Sequence, residues 1–291
     1  MSRFENKVDF VVFVGVNNAN PNGDPLDGNR PRTDLDGFGE ISDVCIKRKI
    51  RNRMQDMGYN VFVQSEDRCK DGCDSLKTRA EKFIGKAGKS KGNGILTKEE
   101  YSKKANETYL DVRAFGQVFA FEKNDGDSKG VSVGIRGPVS IHQAISIMPI
   151  DIESIQITKS VNGNPKENKA SDTMGMKHFV KFGLYKVKGS INVQLAEKTG
   201  FSEEDAQIIK KCLQTLFVND ASSARPDGSM EVVKLYWWKH NCKDGQYSSA
   251  VVHKSVDAKA KDGIQIPRSV DDYEFIETPL DGLEPEIING I

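Results

Sequence analysis

Five cations fall within seven residues: Lys47, Arg48, Lys49, Arg51 and Arg53. Cations along one helix edge can follow a row of phosphates, each neutralised phosphate adding salt-dependent affinity. The same residues also suit the solvated face of an ordinary amphipathic helix. Upstream, NNANPNGDPLDGN (17–29) is followed by Arg30, Arg32 and Thr33. Amides, turn N–H groups and guanidinium groups fit sugar and phosphate contacts; a plain surface turn has the same composition. Met174, Met176, Lys177 and His178 set apolar wedges beside cations. Such wedges can separate stacked bases or pack on a protein neighbour.

Signals for catalysis are poor. The four histidines, His142, His178, His240 and His253, form no metal-binding motif. GKAGKS (85–90) lacks the first glycine of a phosphate loop, because Phe83 stands there. Asp24, Asp34 and Asp43 could hold a cation, but their loop setting makes a poor nuclease site. Cys69 and Cys73 have an unusual spacing for zinc and no neighbouring His. The reading assigns no catalytic residue, no metal and no cofactor.

The elements that must position these groups are legible in part. KVDFVVFVGV (7–16) reads as a strand buried on both faces. Residues 42–57 read as a helix capped by Ser42 or Asp43 and ended by Gly58, with Ile46, Ile50, Met54 and Met57 on its packing face. Residues 131–147 alternate with period two, and Gly137-Pro138 should bend that strand. Residues 184–195 alternate again. Residues 202–217 form a helix opened by a Ser202/Asp205 capping box, and 230–239 a last strand. The order β, α, β, β, α, β gives an α+β fold, the ferredoxin-like arrangement shared with the RRM. Residues 148–183 are too long for a simple connection and read as an extended hairpin with arms 152–160 and 173–182. An RRM-like sheet would leave one face free, here carrying Arg136, Ser140, His142, Lys186, Lys188, Ser190 and Asn192. That face has no stacking aromatics, so it should touch RNA backbone rather than read bases.

Composition sets broad limits. The 291 residues carry 42 basic and 42 acidic side chains, and this neutral balance weakly disfavours nucleic acid. Five scattered cysteines point to a reducing compartment. No signal segment is recognisable, and the apolar run at 8–16 is too short to span a membrane. The expectation is a cytoplasmic protein with no membrane contact.

Taken together, NANPNGDP (18–25), NRPRTD (29–34), SDVCIKRKIRN (42–52), DVRAFGQVF (111–119), GIRGPVSIHQAIS (134–146) and MGMKHFVKFGLYKVKGSIN (174–192) carry a resemblance. The sequence resembles the CRISPR-associated Cas-seven family, above all the crRNA-binding backbone subunit of the type I-C Cascade complex. The resemblance implies an RRM-like palm (7–58, 131–147 and 184–240), an inserted finger region (59–130), a β-hairpin thumb (148–183) and a C-terminal surface segment (241–291), all in one domain. It implies a non-catalytic subunit whose copies stack along crRNA, each thumb kinking the guide at regular intervals. Exposed guide segments then pair with target DNA. The implied partners are crRNA, target DNA through it, further copies of the chain and the other Cascade subunits. Implied guide contacts are Asn18, Asn20, Arg32, Lys47, Arg48, Arg51, Arg113, Phe115, Gln117, Arg136, Gln143, Met174, Met176, Lys177 and His178. A CRISPR RNA-processing ribonuclease on the same superfold is the alternative, with His142 near Arg136 as its only nominee.

Overall fold

Alternate residues of the first strand, β1 (Val8–Ala19), face two different cores. Val8, Phe10, Val12, Val14 and Val16 point to a helix-covered layer, whereas Val11 and Phe13 point the other way. A strand buried on both sides belongs at the centre of a sheet. In the computed structural model, which describes residues 2–88, 95–121, 132–158 and 174–291, β1 lies between β3 (Met174–Ile191) and β4 (Met230–Lys239), antiparallel to both. The second palm strand, β2, comes in two pieces, Val139–Ile141 and Ala144–Pro149, and both pair with β3. The palm order is therefore β4-β1-β3-β2. Glu286–Asn289 closes the β4 edge and Phe38–Ile41 the other.

Helices α1 (Asp43–Asp56) and α2 (Glu203–Gln214) cover one face. Ser42 accepts from the Cys45 amide at the α1 N-terminus, and Gly58, at φ +85°, follows its end. Ile46, Ile50 and Met54 are buried under the sheet, each contributing about 1.5–3 kcal/mol. The capping box of Ser202 and Asp205 opens α2 as expected. With α1 between β1 and β2, and α2 between β3 and β4, the βαββαβ order holds, and the fold is α+β.

Four details differ from the sequence reading. Val133–Arg136 leaves the palm and pairs with Gly116–Phe119. Gly137-Pro138 therefore ends one strand rather than bending it. Added Cβ atoms show why glycine stands at the crossing: at Gly116 one would lie 2.3 Å from the Ile135 carbonyl, and at Gly137 2.3 Å from the Ala114 carbonyl. The alternation at 184–195 stops at Ile191, where Asn192 caps a short helix, Val193–Thr199. The hairpin return arm and the third palm strand are one 18-residue strand, because nothing between Val180 and Leu184 breaks the extended chain.

The fourth difference concerns the sheet face expected to be free. Residues after 241 cover it. The helix Ser249–Lys254 and the pair Val256–Ala260 with Tyr273–Glu277 supply Val252, Val256, Ala258 and Tyr273 to a second core with Phe13, Leu184, Tyr236 and Trp238. Between β1 and this cover Asp9 is fully buried, 2.9 Å from His240 Nε2 and 3.0 Å from Lys7 Nζ. A third core joins Leu76–Phe83, Lys98–Thr108 and Leu110–Phe115 around Phe62, Tyr101, Tyr109 and Phe119.

Candidate nucleic-acid interface

The cations of α1 do not form an open row. Lys47 pairs with Asp43 at 2.9 Å, and Arg48 donates to the Val63 carbonyl at 2.7 Å. Lys49 is buried against Asp220, and Arg53 contacts Asp56 and Thr215. Arg51 donates to Asp111 at 2.8 Å and lies over the Phe115 ring, 5.1 Å from its centroid. Burial pushes the Lys49 amine and the Arg48 guanidinium down, with Asp220 opposing this for Lys49. The physical reason is position: α1 packs under the sheet between α2 and the finger-side core, so its cations meet Asp220 after α2 and Asp111 on the finger side, besides Asp43 and Asp56 of α1 itself. Lys47, at 24% side-chain exposure, is the most open of the four α1 cations that form ion pairs.

Arg113 is engaged in the same way. Its guanidinium makes two bonds of 2.8 Å to Asp205 on α2. Phe115 packs, half-buried, on the palm core. Gln117 and Arg136 lie on the two paired finger-side strands, Gln117 bonded to the Val118 carbonyl and Arg136 exposed.

The first loop behaves differently. Asn20 is 3% exposed and donates to the Asn29 carbonyl at 2.6 Å, so it fastens the loop rather than facing solvent. Asn18, exposed at φ +50°, is left outside. Arg32 reaches Asp24 at 3.4 Å with its side chain 36% exposed. Asn22 accepts from the Ser42 amide and hydroxyl, tying the loop to the start of α1. Gln143 donates to Glu40 at 3.0 Å.

The hairpin arms Ile152–Thr158 and Met174–Val180 pair in register, Ile152 opposite Val180 and Thr158 opposite Met174; its intervening part, 159–173, lies outside the described residues. Cross-strand partners share a face. Met174, Met176 and His178 therefore stand with Ser154 and Gln156, whereas Lys177 stands with Ile155 on the opposite face. Met174 and Met176 are 63% and 54% exposed, large values for apolar side chains. His178 Nδ1 lies 2.7 Å from Ser154 Oγ, which also receives Arg30 Nη1 at 3.2 Å. The sequence reading missed Arg30 and Ser154 as partners of His178. The only available signal was the cation next to the loop.

The palm face cannot act as an open sheet. Lys186 is held by the Val256 carbonyl and by Asp257 at 3.4 Å, and burial pushes its amine down. His142 stays exposed, its ring edge-on to His253 with centroids 5.9 Å apart. Arg136 has left the palm altogether. Besides the exposed His142 and Arg136, a rim stays accessible: Asn18 and Arg32 on the loop, Gln143 on the second palm strand's connection, and Met174, Met176 and His178 on one hairpin face.

A family model described as CRISPR-associated protein Cas7 matches residues 6–278. A CRISPR-associated protein Cas7 of Haloferax volcanii is 24% identical over 214 residues, 69% of this chain; the match spans 61% of that relative's length. Among solved structures, a chain of a "CRISPR RNA-guided surveillance complex, pre-nicking" superposes with a TM-score of 0.49 at 16% identity, over 85% of this chain and 81% of that one. A chain of another CRISPR RNA-guided surveillance complex gives 0.48 at 18% identity, over 89% and 78%. The family model covers nearly the whole chain, including the loop, the hairpin arms and all four palm strands, and on that ground the chain belongs to the Cas7 family of CRISPR-associated proteins.

Proposed function

We propose that the chain is a non-catalytic backbone subunit of a type I CRISPR interference complex, of the I-C kind, acting in the cytoplasm. Several copies stack along one crRNA and hold its sugar-phosphate backbone. The hairpin acts as a thumb that kinks the guide, and the segments between kinks pair with target DNA. The finger region and C-terminal segment complete the subunit, and other Cascade subunits cap the row. The observation that carries this reading is the family match over residues 6–278.

The rim residues support a backbone-holding role. Asn18, Arg32, Gln143 and His178 offer amide, guanidinium and imidazole donors, and Met174 and Met176 offer apolar wedges on the His178 face. Lys47 and Arg136 can add phosphate contacts, and Lys177 can reach a guide or neighbour from the other hairpin face. Arg48, Arg51, Arg113, Phe115, Gln117 and Asn20 then act mainly by shaping the surface that the guide follows.

The test is co-expression of the full chain with a repeat-spacer RNA, then native mass spectrometry and the 260/280 nm absorbance ratio. The expected species carries several protein copies on one RNA of uniform length. Protein that purifies free of RNA at low salt would sink the reading, and so would cleavage of repeat RNA by the protein alone.

A further inference from the structure

Where the first loop meets the hairpin, three side chains from segments distant in sequence share one polar chain. Arg30 Nη1 donates to Ser154 Oγ at 3.2 Å, and Oγ lies 2.7 Å from His178 Nδ1. With Oγ accepting from Arg30, the single hydroxyl hydrogen is available to Nδ1. An imidazole that accepts at Nδ1 carries its proton on Nε2. Nε2 faces residue 28, where a Cβ would sit 4.0 Å away, but Gly28 has none and stands at φ +56°. The turn thus leaves Nε2 uncovered by any side chain at that position. Arg30 keeps 38% of its side chain exposed; its acidic neighbour, Asp27, touches only Nε at 3.7 Å and is itself 73% exposed. Asp24, the other nearby acid, is occupied by Arg32 and the Leu26 amide.

We propose that Arg30 and Ser154 complete, with His178, a binding element for one phosphodiester of single-stranded RNA. The Arg30 guanidinium is the charged donor and His178 Nε2–H the second donor. Ser154 is the positioning residue that fixes the imidazole tautomer and holds Arg30 beside it. The inference rests on the RNA-binding reading above and adds two residues and their geometry to it. It also explains why the loop and the hairpin, joined by no main-chain pairing at this point, are linked through a hydroxyl: one phosphate can bridge both.

The experiment titrates a fluorescent single-stranded repeat-spacer RNA with the full chain at several KCl concentrations. Arg30→Gln should weaken binding about 10-fold and lower the slope of log K against log salt by about 0.7, the loss of one phosphate contact. Arg30→Lys should restore the slope. Ser154→Ala should weaken binding several-fold at an unchanged melting temperature, and Ser154→Thr should recover it. Wild-type affinity and slope in both Arg30→Gln and Ser154→Ala, while the unsubstituted chain binds RNA, overturns this inference alone. Weaker binding of Arg30→Gln with an unchanged slope also overturns it, since the joint would then only shape the hairpin. An unsubstituted chain that binds no RNA overturns the reading beneath it, and this inference with it.

Discussion

The Arg51 guanidinium donates to Asp111, a fully buried carboxylate that also receives the Phe62 amide at 2.7 Å and the Val63 amide at 3.1 Å. Removing one partner of a buried, hydrogen-bonded ion pair costs about 3–5 kcal/mol. Arg51→Glu should therefore lower urea stability by about that amount, and a loss below about 1 kcal/mol would contradict the role given to Asp111. Lys47→Glu, at a partly exposed pair worth about 0–1 kcal/mol, should leave stability nearly unchanged, so it is the cleaner probe of phosphate contact on α1. Asp9 and His253 give a pH dependence. Burial pushes the His253 imidazole below its ordinary range, against a bond to the Gly189 carbonyl and the charge of Asp9; His142 and Lys188 add to the lowering. Its neutral form is favoured in the folded chain, so that stability is complete above about pH 6.5 and is lost as pH falls towards the folded value. Asp9 is opposite in cause. Burial raises it, but hydrogen bonds from His240, Ser249 and Lys7 prevail and hold it low; its contribution fails only below about pH 4. The thermal midpoint should fall between pH 7 and 5, and His253→Gln should flatten that slope. A flat wild-type profile over this range would refute the assignment.

Among the elements, the crossing of Gly116 and Gly137 joins the finger-side sheet to the palm. Gly116 has φ +78° and ψ 173°, a backbone region open essentially to glycine alone. Gly116→Ala adds a clash with the Ile135 carbonyl to that strain and should cost more than about 2 kcal/mol. Gly58→Ala, at φ +85° with nothing near its Cβ, should cost about 1 kcal/mol. Equal losses in urea melts would show that the crossing is not tight. The same elements show what sequence can carry. The β1 pattern, the α1 stripe and the α2 capping box are local, and they gave the βαββαβ chain order of an α+β fold. The departure of Val133–Arg136 was invisible, because its alternation fits either sheet and only the Gly116 pairing decides. The fate of Lys49, Arg51 and Arg113 was equally hidden: Asp220, Asp111 and Asp205 lie 171, 60 and 92 positions away, and a cation's partner has no period to read. At the rim, the Asn-rich loop and the hairpin were visible by composition, whereas Ser154 was one polar residue among many.

On the scale of the whole molecule, the cover formed beyond residue 241 replaces the open face of an RRM. Ending the chain at residue 241 would bare Val11, Phe13, Leu184, Tyr236 and Trp238 and strip Asp9 of the cover that holds Ser249 and His253 near it. Such a truncation should partition to the insoluble fraction or bind a hydrophobic dye strongly; a soluble, dye-silent product would show that the cover is dispensable. The placement of β1 has a consequence for biosynthesis. Val8 pairs with both Ile191 and Lys239. At roughly 5–20 residues per second, Lys239 follows Val8 out of the ribosome by about 12 to 46 s. For that interval a largely apolar strand waits without its second neighbour. Nascent β1 is thus an exposed sticky segment throughout translation, and yield on expression should respond to elongation speed and holding chaperones more than to the stability of the finished fold.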